Sequence, residues 1–116
     1  MDDREQQKTA AVATALDAMW TRFLPEMRAR VSVLAGAARA LADGTLNGGQ
    51  LAAAQAAAHK LAGTLGTFGL ERGTELAREL EGLYSQPYGS LGKADAARLA
   101  AGADAIAALV AARKTG

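Results

Sequence analysis

The fold of this chain is decided by residues 51–70, whose sequence is LAAAQAAAHKLAGTLGTFGL. Ala and Leu, the strongest helix formers, make up most of this stretch. Gly69 followed by Leu70 is typical of a left-handed helix cap with an apolar residue just beyond it. At about 100° per residue one side of the helix is apolar, and it carries Ala54, Ala58, Leu61, Leu65 and Phe68. The stretch therefore predicts a helix that begins near Gly49 or Gln50 and packs one face against a core.

The composition of the whole chain also favours closely packed helices. Ala accounts for 30 of the 116 residues, whereas β-branched apolar residues number five, so there is little from which to build a β-sheet. The absence of Cys excludes disulfides, Cys-ligated metals and thiol nucleophiles. The single histidine, His59, excludes mechanisms that need two imidazoles.

Charge and hydropathy limit the partners and the location. Thirteen basic and twelve acidic side chains give a formal net charge of +1, which implies no bulk attraction to nucleic acid or to acidic lipid. The chain has no apolar run long enough for a membrane helix, and its N-terminus, MDDREQQK, is unlike a signal peptide. We therefore expect a cytoplasmic protein with no nucleic-acid or membrane partner.

The spacing of apolar residues predicts five helices, over residues 2–23, 25–42, 49–69, 71–84 and 93–113. Pro25 fits best as an early residue of the second helix. The first helix has an apolar stripe that we expect to face the core, made of Val12, Leu16, Met19, Trp20 and Phe23. The predicted fold is all-α: an antiparallel four-helix bundle preceded by a shorter N-terminal helix. We expect a single domain over residues 1–116 with a core of about residues 10–113.

His59 points away from the apolar side of its helix, and the residues within about 60° of it are Gln55, Ala62, Gly63 and Gly66. Gly inside a helix costs about 0.5–1 kcal/mol relative to Ala, so another advantage must favour these two glycines. Either a neighbouring helix of the bundle packs tightly there, or an external macromolecule approaches the imidazole. Because both glycines share the histidine's face, the external partner is favoured.

The chemistry available to His59 is nucleophilic. A neutral imidazole has a free lone pair on one ring nitrogen, and it needs an orienting partner for the other nitrogen. The chain shows no Ser-His-Asp arrangement and no carboxylate cluster suited to a metal, so the electrophile must come from another molecule. The alternative is an ordinary histidine that satisfies a hydrogen bond.

The sequence AHKLAGTLGTFGL, residues 58–70, resembles the signature of the histidine-containing phosphotransfer (HPt) domain family. In that family a helix carries A-H-x-L-K-G-S/T, with a second Gly six residues after the first. The resemblance extends from about Leu16 to Val110 and includes the sequence LARELE at residues 76–81. The positions that match the signature are Ala58, His59, Leu61, Gly63, Thr64, Gly69 and Leu70.

The resemblance implies a phosphorelay intermediate in which His59 accepts a phosphoryl group from the aspartate of a response-regulator receiver domain and passes it to another receiver. It implies no ATP binding and no catalysis of its own, so the protein is not expected to be an enzyme. No cofactor and no metal are expected in the chain, because the receiver supplies Mg²⁺. The implied partners are receiver domains, with a hybrid sensor histidine kinase as a further candidate, and we expect a monomer.

The resemblance also implies supporting roles near the phosphoryl group. The family usually has Lys three residues after the His, where this chain has Ala62; Lys60 is an imperfect replacement or an ordinary solvated lysine. Glu81, at the family's spacing for an acceptor to the non-reacting imidazole nitrogen, orients His59 or is a surface residue. Arg78 adds positive charge near the site or lies on a solvated face. The residues expected to contact the receiver are Gln55, Ala62, Gly63 and Gly66.

Two other functions are compatible with the sequence. The missing Lys at position 62 is compatible with a non-catalytic module that docks or sequesters a receiver without exchanging phosphate. The third possibility is a structural or oligomerising Ala-rich bundle. The sequence does not indicate which receivers are partners or in which direction phosphate flows.

Overall fold

The computed structural model describes residues 3–113, which form four α-helices and no strand. The helices are α1 (Asp3–Ala42), α2 (Gly48–Thr67), α3 (Glu71–Tyr84) and α4 (Lys93–Ala112). Each helix packs against the next, and α1 also packs against α4, so the four close into an antiparallel bundle. The predicted all-α bundle is confirmed. Asp2, where the sequence predicts the first helix to begin, lies outside the described residues.

The predicted break at Pro25 is wrong, because α1 is one continuous helix of 40 residues with Pro25 inside it. A proline removes one helical hydrogen bond, here the one to the carbonyl of Thr21. Trp20 and Met27, which flank Pro25, are both buried in the core, and their packing holds the helix together through the missing bond. The separate N-terminal helix of the prediction is therefore the first part of α1.

The first turns of α1 extend beyond the bundle. Residues 3–15 are all exposed, and the molecule is 58 Å long, whereas 20-residue helices such as α2 and α4 span about 30 Å. The prediction that Val12 and Met19 face the core is wrong, since they are 60% and 39% exposed. Helical spacing identified the apolar stripe of α1, but the other helices of the bundle do not extend as far as Val12. No helix within residues 3–113 is long and apolar enough to cross a membrane.

The ends of α2 are fixed by local hydrogen bonds. Asn47 caps its start: the side-chain oxygen accepts from the backbone N–H of Gln50 at 2.7 Å, and the Gln50 side chain accepts from the Asn47 N–H at 2.8 Å. At the other end Gly69 adopts φ +73°, as the sequence predicts, and the N–H of Leu70 bonds back to the carbonyl of Leu65 at 3.0 Å. These caps set both connections of the helix that carries His59.

One end of the bundle is closed by Arg113, which follows α4. Its guanidinium lies 4.8 Å from the ring centroid of Trp20 and 5.4 Å from that of Phe68, and it donates to the Asp17 carboxylate at 3.2 Å. The two rings meet edge to face at 5.1 Å. This contact therefore joins the end of α4 to α1 and to the residue that follows α2.

Tyr84, the last residue of α3, gives the fold a measurable pH dependence. It is buried, its hydroxyl donates to the carbonyl of Leu34 at 3.2 Å, and burial raises the pKa of its phenol from 10.0 to about 12. The unfolded chain ionises near the usual value and the folded protein does not, so the folded state binds the extra proton between these pH values. Stability therefore falls as pH rises from about 10 towards 12.

We expect Tyr84→Phe to remove this part of the alkaline loss of stability, and to cost about 1 kcal/mol at neutral pH through the lost hydrogen bond. Urea unfolding midpoints across the alkaline range measure both effects. The matched control is Tyr88→Phe, because Tyr88 is exposed. An alkaline slope that is unchanged in Tyr84→Phe would contradict the assignment.

Candidate functional site

His59 lies in the middle of α2 and is the most chemically distinctive exposed side chain of the bundle. Its imidazole is 76% exposed, and Nδ1 lies 2.8 Å from Oε2 of Glu81 on α3. Within residues 3–113 no group forms a hydrogen bond with Nε2. One ring nitrogen is thus held by a carboxylate and the other faces solvent.

The pairing of these two side chains follows from the antiparallel hairpin of α2 and α3. His59 lies nine residues before the turn at residues 68–70, and Glu81 lies eleven residues after it. Because helices have a constant rise per residue, the two residues reach similar heights in the hairpin. The same register brings the Thr74 hydroxyl within 3.2 Å of the carbonyl of Ala62, to which it donates.

The hydrogen bond fixes the tautomer of the imidazole. A carboxylate can only accept, so the proton between the two groups belongs to Nδ1 of His59. In the neutral ring Nε2 then carries the lone pair, and it is the nitrogen that faces solvent. The predicted pairing with Glu81 is therefore found, and its geometry leaves Nε2 free to act as a nucleophile.

A groove of about 560 Å³ runs beside His59 between α1 and α2. Its lining includes apolar side chains and side chains of both positive and negative charge. From α2 it is lined by His59, Lys60, Gly63, Thr64 and Thr67, with Phe68 at the helix end, and from α1 by Met19, Phe23, Glu26 and Arg30. The exposed imidazole thus stands at the edge of a concave surface made by two helices.

The four residues predicted to surround His59 do not share one environment. Gln55 and Gly63 are exposed, and a Cβ on Gly63 would meet open space. Gly66 is exposed too, but a Cβ there would lie 3.4 Å from the Thr74 hydroxyl on α3. The placement of Ala62 on the open face is wrong: it is 6% exposed and belongs to the core. It lies about 60° round the helix from His59, on the side against which α3 packs.

The two predicted cations are placed differently. Lys60 lines the groove and also a smaller hollow of about 320 Å³ shared with Gln55, His59 and Glu81. Arg78 is exposed on α3, one turn before Glu81, and lines neither concavity. The structure therefore places Lys60 beside His59 and Arg78 outside both concave surfaces.

The sequence did not lead us to predict that residues of α1 form one side of the groove beside His59. Met19, Phe23, Glu26 and Arg30 follow one another at steps of four, three and four residues, so they form one stripe on α1. The signal was present, but a helical wheel of α2 alone does not show which neighbouring helix borders the histidine. The two charged members of the stripe distinguish it from a core face.

The sequence model of the family described as "Hpt domain" matches residues 18–114. This chain belongs to the Hpt domain family. Hpt domains are phosphocarriers rather than catalysts, and their general role is histidine phosphotransfer in phosphorelays. Partners of the Hpt family belong to two-component systems, and receiver domains are among them.

One curated protein is similar to this chain over part of its length. Protein RcaC of Microchaete diplosiphon is 40% identical to this Hpt domain over 79 residues, which are 68% of this chain and 12% of that protein. No solved structure matches the chain.

The role of Glu81 is testable on the isolated Hpt domain. In Glu81→Ala no acceptor remains for the Nδ1 proton, so we expect the tautomer ratio of the neutral imidazole to move towards Nε2–H by about tenfold. Nitrogen-15 NMR of the ring at alkaline pH measures this ratio. The control is Glu79→Ala, because Glu79 pairs with Arg98 on α4 at 2.6 Å instead. Equal tautomer ratios in the parent and in Glu81→Ala would show that Glu81 does not orient the ring.

Proposed function

We propose that this Hpt domain accepts a phosphoryl group on His59 from the aspartate of one receiver domain and passes it to the aspartate of another. One observation carries the proposal: the exposed Nε2 belongs to a ring whose Nδ1 is bonded to Glu81 at 2.8 Å. The membership in the Hpt family and the groove beside the ring support it. A cytoplasmic location is part of the proposal.

In the accepting step the Nε2 lone pair attacks the phosphorus of the aspartyl phosphate. The P–O bond to the aspartate breaks, and the aspartate leaves as a carboxylate. The ring keeps its Nδ1 proton and therefore becomes a cationic, N-phosphorylated imidazolium. The Glu81 carboxylate stabilises this new positive charge through the hydrogen bond to Nδ1. Attack by a second receiver's carboxylate breaks the P–N bond and restores the neutral ring.

The chain contributes the nucleophile, and we propose that the receiver contributes the rest. An Mg²⁺ ion held by the receiver would neutralise the transferring phosphoryl group, so the Hpt domain needs no cofactor and performs no catalysis of its own. The groove and the open space over Gly63 give the receiver a surface on which to dock close to Nε2.

Incubation with a phosphorylated receiver and Mg²⁺ is expected to give a phosphoprotein that is labile in acid and stable in base, as a phosphohistidine is. His59→Gln is expected to take up no phosphate and to keep its helical circular dichroism, because the side chain is exposed. Labelling of His59→Gln at the parent level would contradict the proposal. Receiver binding without labelling of the parent would indicate a sequestering module instead.

The docking surface can be tested separately from the chemistry. We expect Gly63→Leu to weaken receiver binding by about tenfold or more, since a bulky side chain beside His59 blocks close contact at the centre of the interface. Gly36→Leu is the matched control: Gly36 is also an exposed glycine inside a helix with open space at its Cβ, and it lies about 120° round α1 from the groove residue Arg30.

Calorimetric titration with the receiver and thermal unfolding of both variants make the comparison. Equal receiver affinity for the two variants would contradict the docking surface. A change in self-association that is confined to Gly63→Leu would instead indicate an oligomerising bundle.

A further inference from the structure

Arg30 on α1 is a partly buried guanidinium with little to bind. Its side chain is 24% exposed, and within residues 3–113 its polar contact is one oxygen of Glu26 at 3.9 Å, beyond hydrogen-bond distance. A guanidinium carries five N–H donors, and withdrawing them from water without acceptors is costly. No nitrogen of Arg30 is buried without a partner, so its donors are in contact with solvent and are available to an anion that enters the groove.

The other partly buried arginine of the bundle shows the contrast. Arg113 is 16% exposed, donates to Asp17 at 3.2 Å and lies against the rings of Trp20 and Phe68. The guanidinium of Arg113 is thus engaged at one end of the bundle. That of Arg30 lines the groove beside His59 instead.

The register of α1 and α2 puts Arg30 at the level of the reactive histidine. The two helices are antiparallel about the turn near Thr45, and Arg30 and Lys60 are each fifteen residues from it. Equal rise places them opposite each other, with His59 one residue away. Packed helices lie about 8–10 Å apart, a distance that a long arginine side chain can largely cross.

We propose that Arg30 binds the phosphoryl group carried by Nε2 of His59. This inference rests on the proposed phosphorylation of His59. The phosphoryl oxygens would supply the acceptors that Glu26 does not, and a guanidinium suits them because it donates two parallel hydrogen bonds. Lys60 borders the same groove from α2, and the Glu26 carboxylate borders it from α1, so two cations and one anion would surround the phosphoryl group.

The test loads phosphate without a receiver. Phosphoramidate transfers its phosphoryl group to the imidazole with loss of ammonia, and phosphorus-31 NMR then follows the titration of the phosphohistidine. A nearby guanidinium favours the dianion, so we expect Arg30→Gln to move the titration midpoint upward by about half a unit, and Arg30→Lys to restore most of the difference. The matched control is Arg28→Gln, because Arg28 is exposed and borders the cleft between α1 and α4.

Each outcome has a distinct meaning. A midpoint in Arg30→Gln equal to that of the parent overturns the inference, and so does an upward shift seen in Lys60→Gln alone. Neither result affects the proposed receiver function, which is measured by transfer from a phosphorylated receiver. If neither phosphoramidate nor a phosphorylated receiver can load His59, both proposals are contradicted.

Discussion

The close packing of α2 against α3 places His59 beside Glu81, and a glycine, Gly73, lies at the contact. A Cβ on Gly73 would lie 3.0 Å from Cδ1 of Leu65, closer than two such carbons normally approach, so with a larger residue either the Leu65 side chain or the helix spacing would have to shift. The hydrogen bond between His59 and Glu81 lies further from the turn, six residues from Leu65 along α2 and eight residues from Gly73 along α3. A change in the spacing of α2 and α3 near the turn would therefore change the distance between His59 and Glu81.

The three helices around His59 contribute different parts of the site. α2 presents the nucleophile, α3 holds the proton on Nδ1, and α1 forms the far wall of the groove with its apolar and charged stripe. Within residues 3–113 the lining of the groove comes from α1 and α2, apart from Phe68 in the turn that follows α2. Side chains carried by packed helices are held in a fixed geometry, which suits the phosphocarrier role of the Hpt family.

The sequence predicts most of the fold because its boundaries carry strong local signals. The bounds of α3 and the cap at Gly69 are confirmed, since glycine and short apolar repeats mark them directly. Continuity through Pro25 was not predictable, because tertiary packing on both sides outweighs one lost hydrogen bond. The exposure of Ala62 was wrong for a related reason: a helical wheel gives angles around one helix but not the position of its neighbours. The groove residues of α1 were not predicted for the same reason.

The contact between Trp20, Phe68 and Arg113 has a consequence for observing the protein. Trp20 is the single tryptophan of the chain, it is buried, and its neighbour Phe68 lines the groove beside His59. Indole emission responds to the charge and mobility of its surroundings, and here a guanidinium lies 4.8 Å from the ring. The protein thus contains its own fluorophore against the wall of the groove, and occupancy of that groove is open to optical measurement without a label.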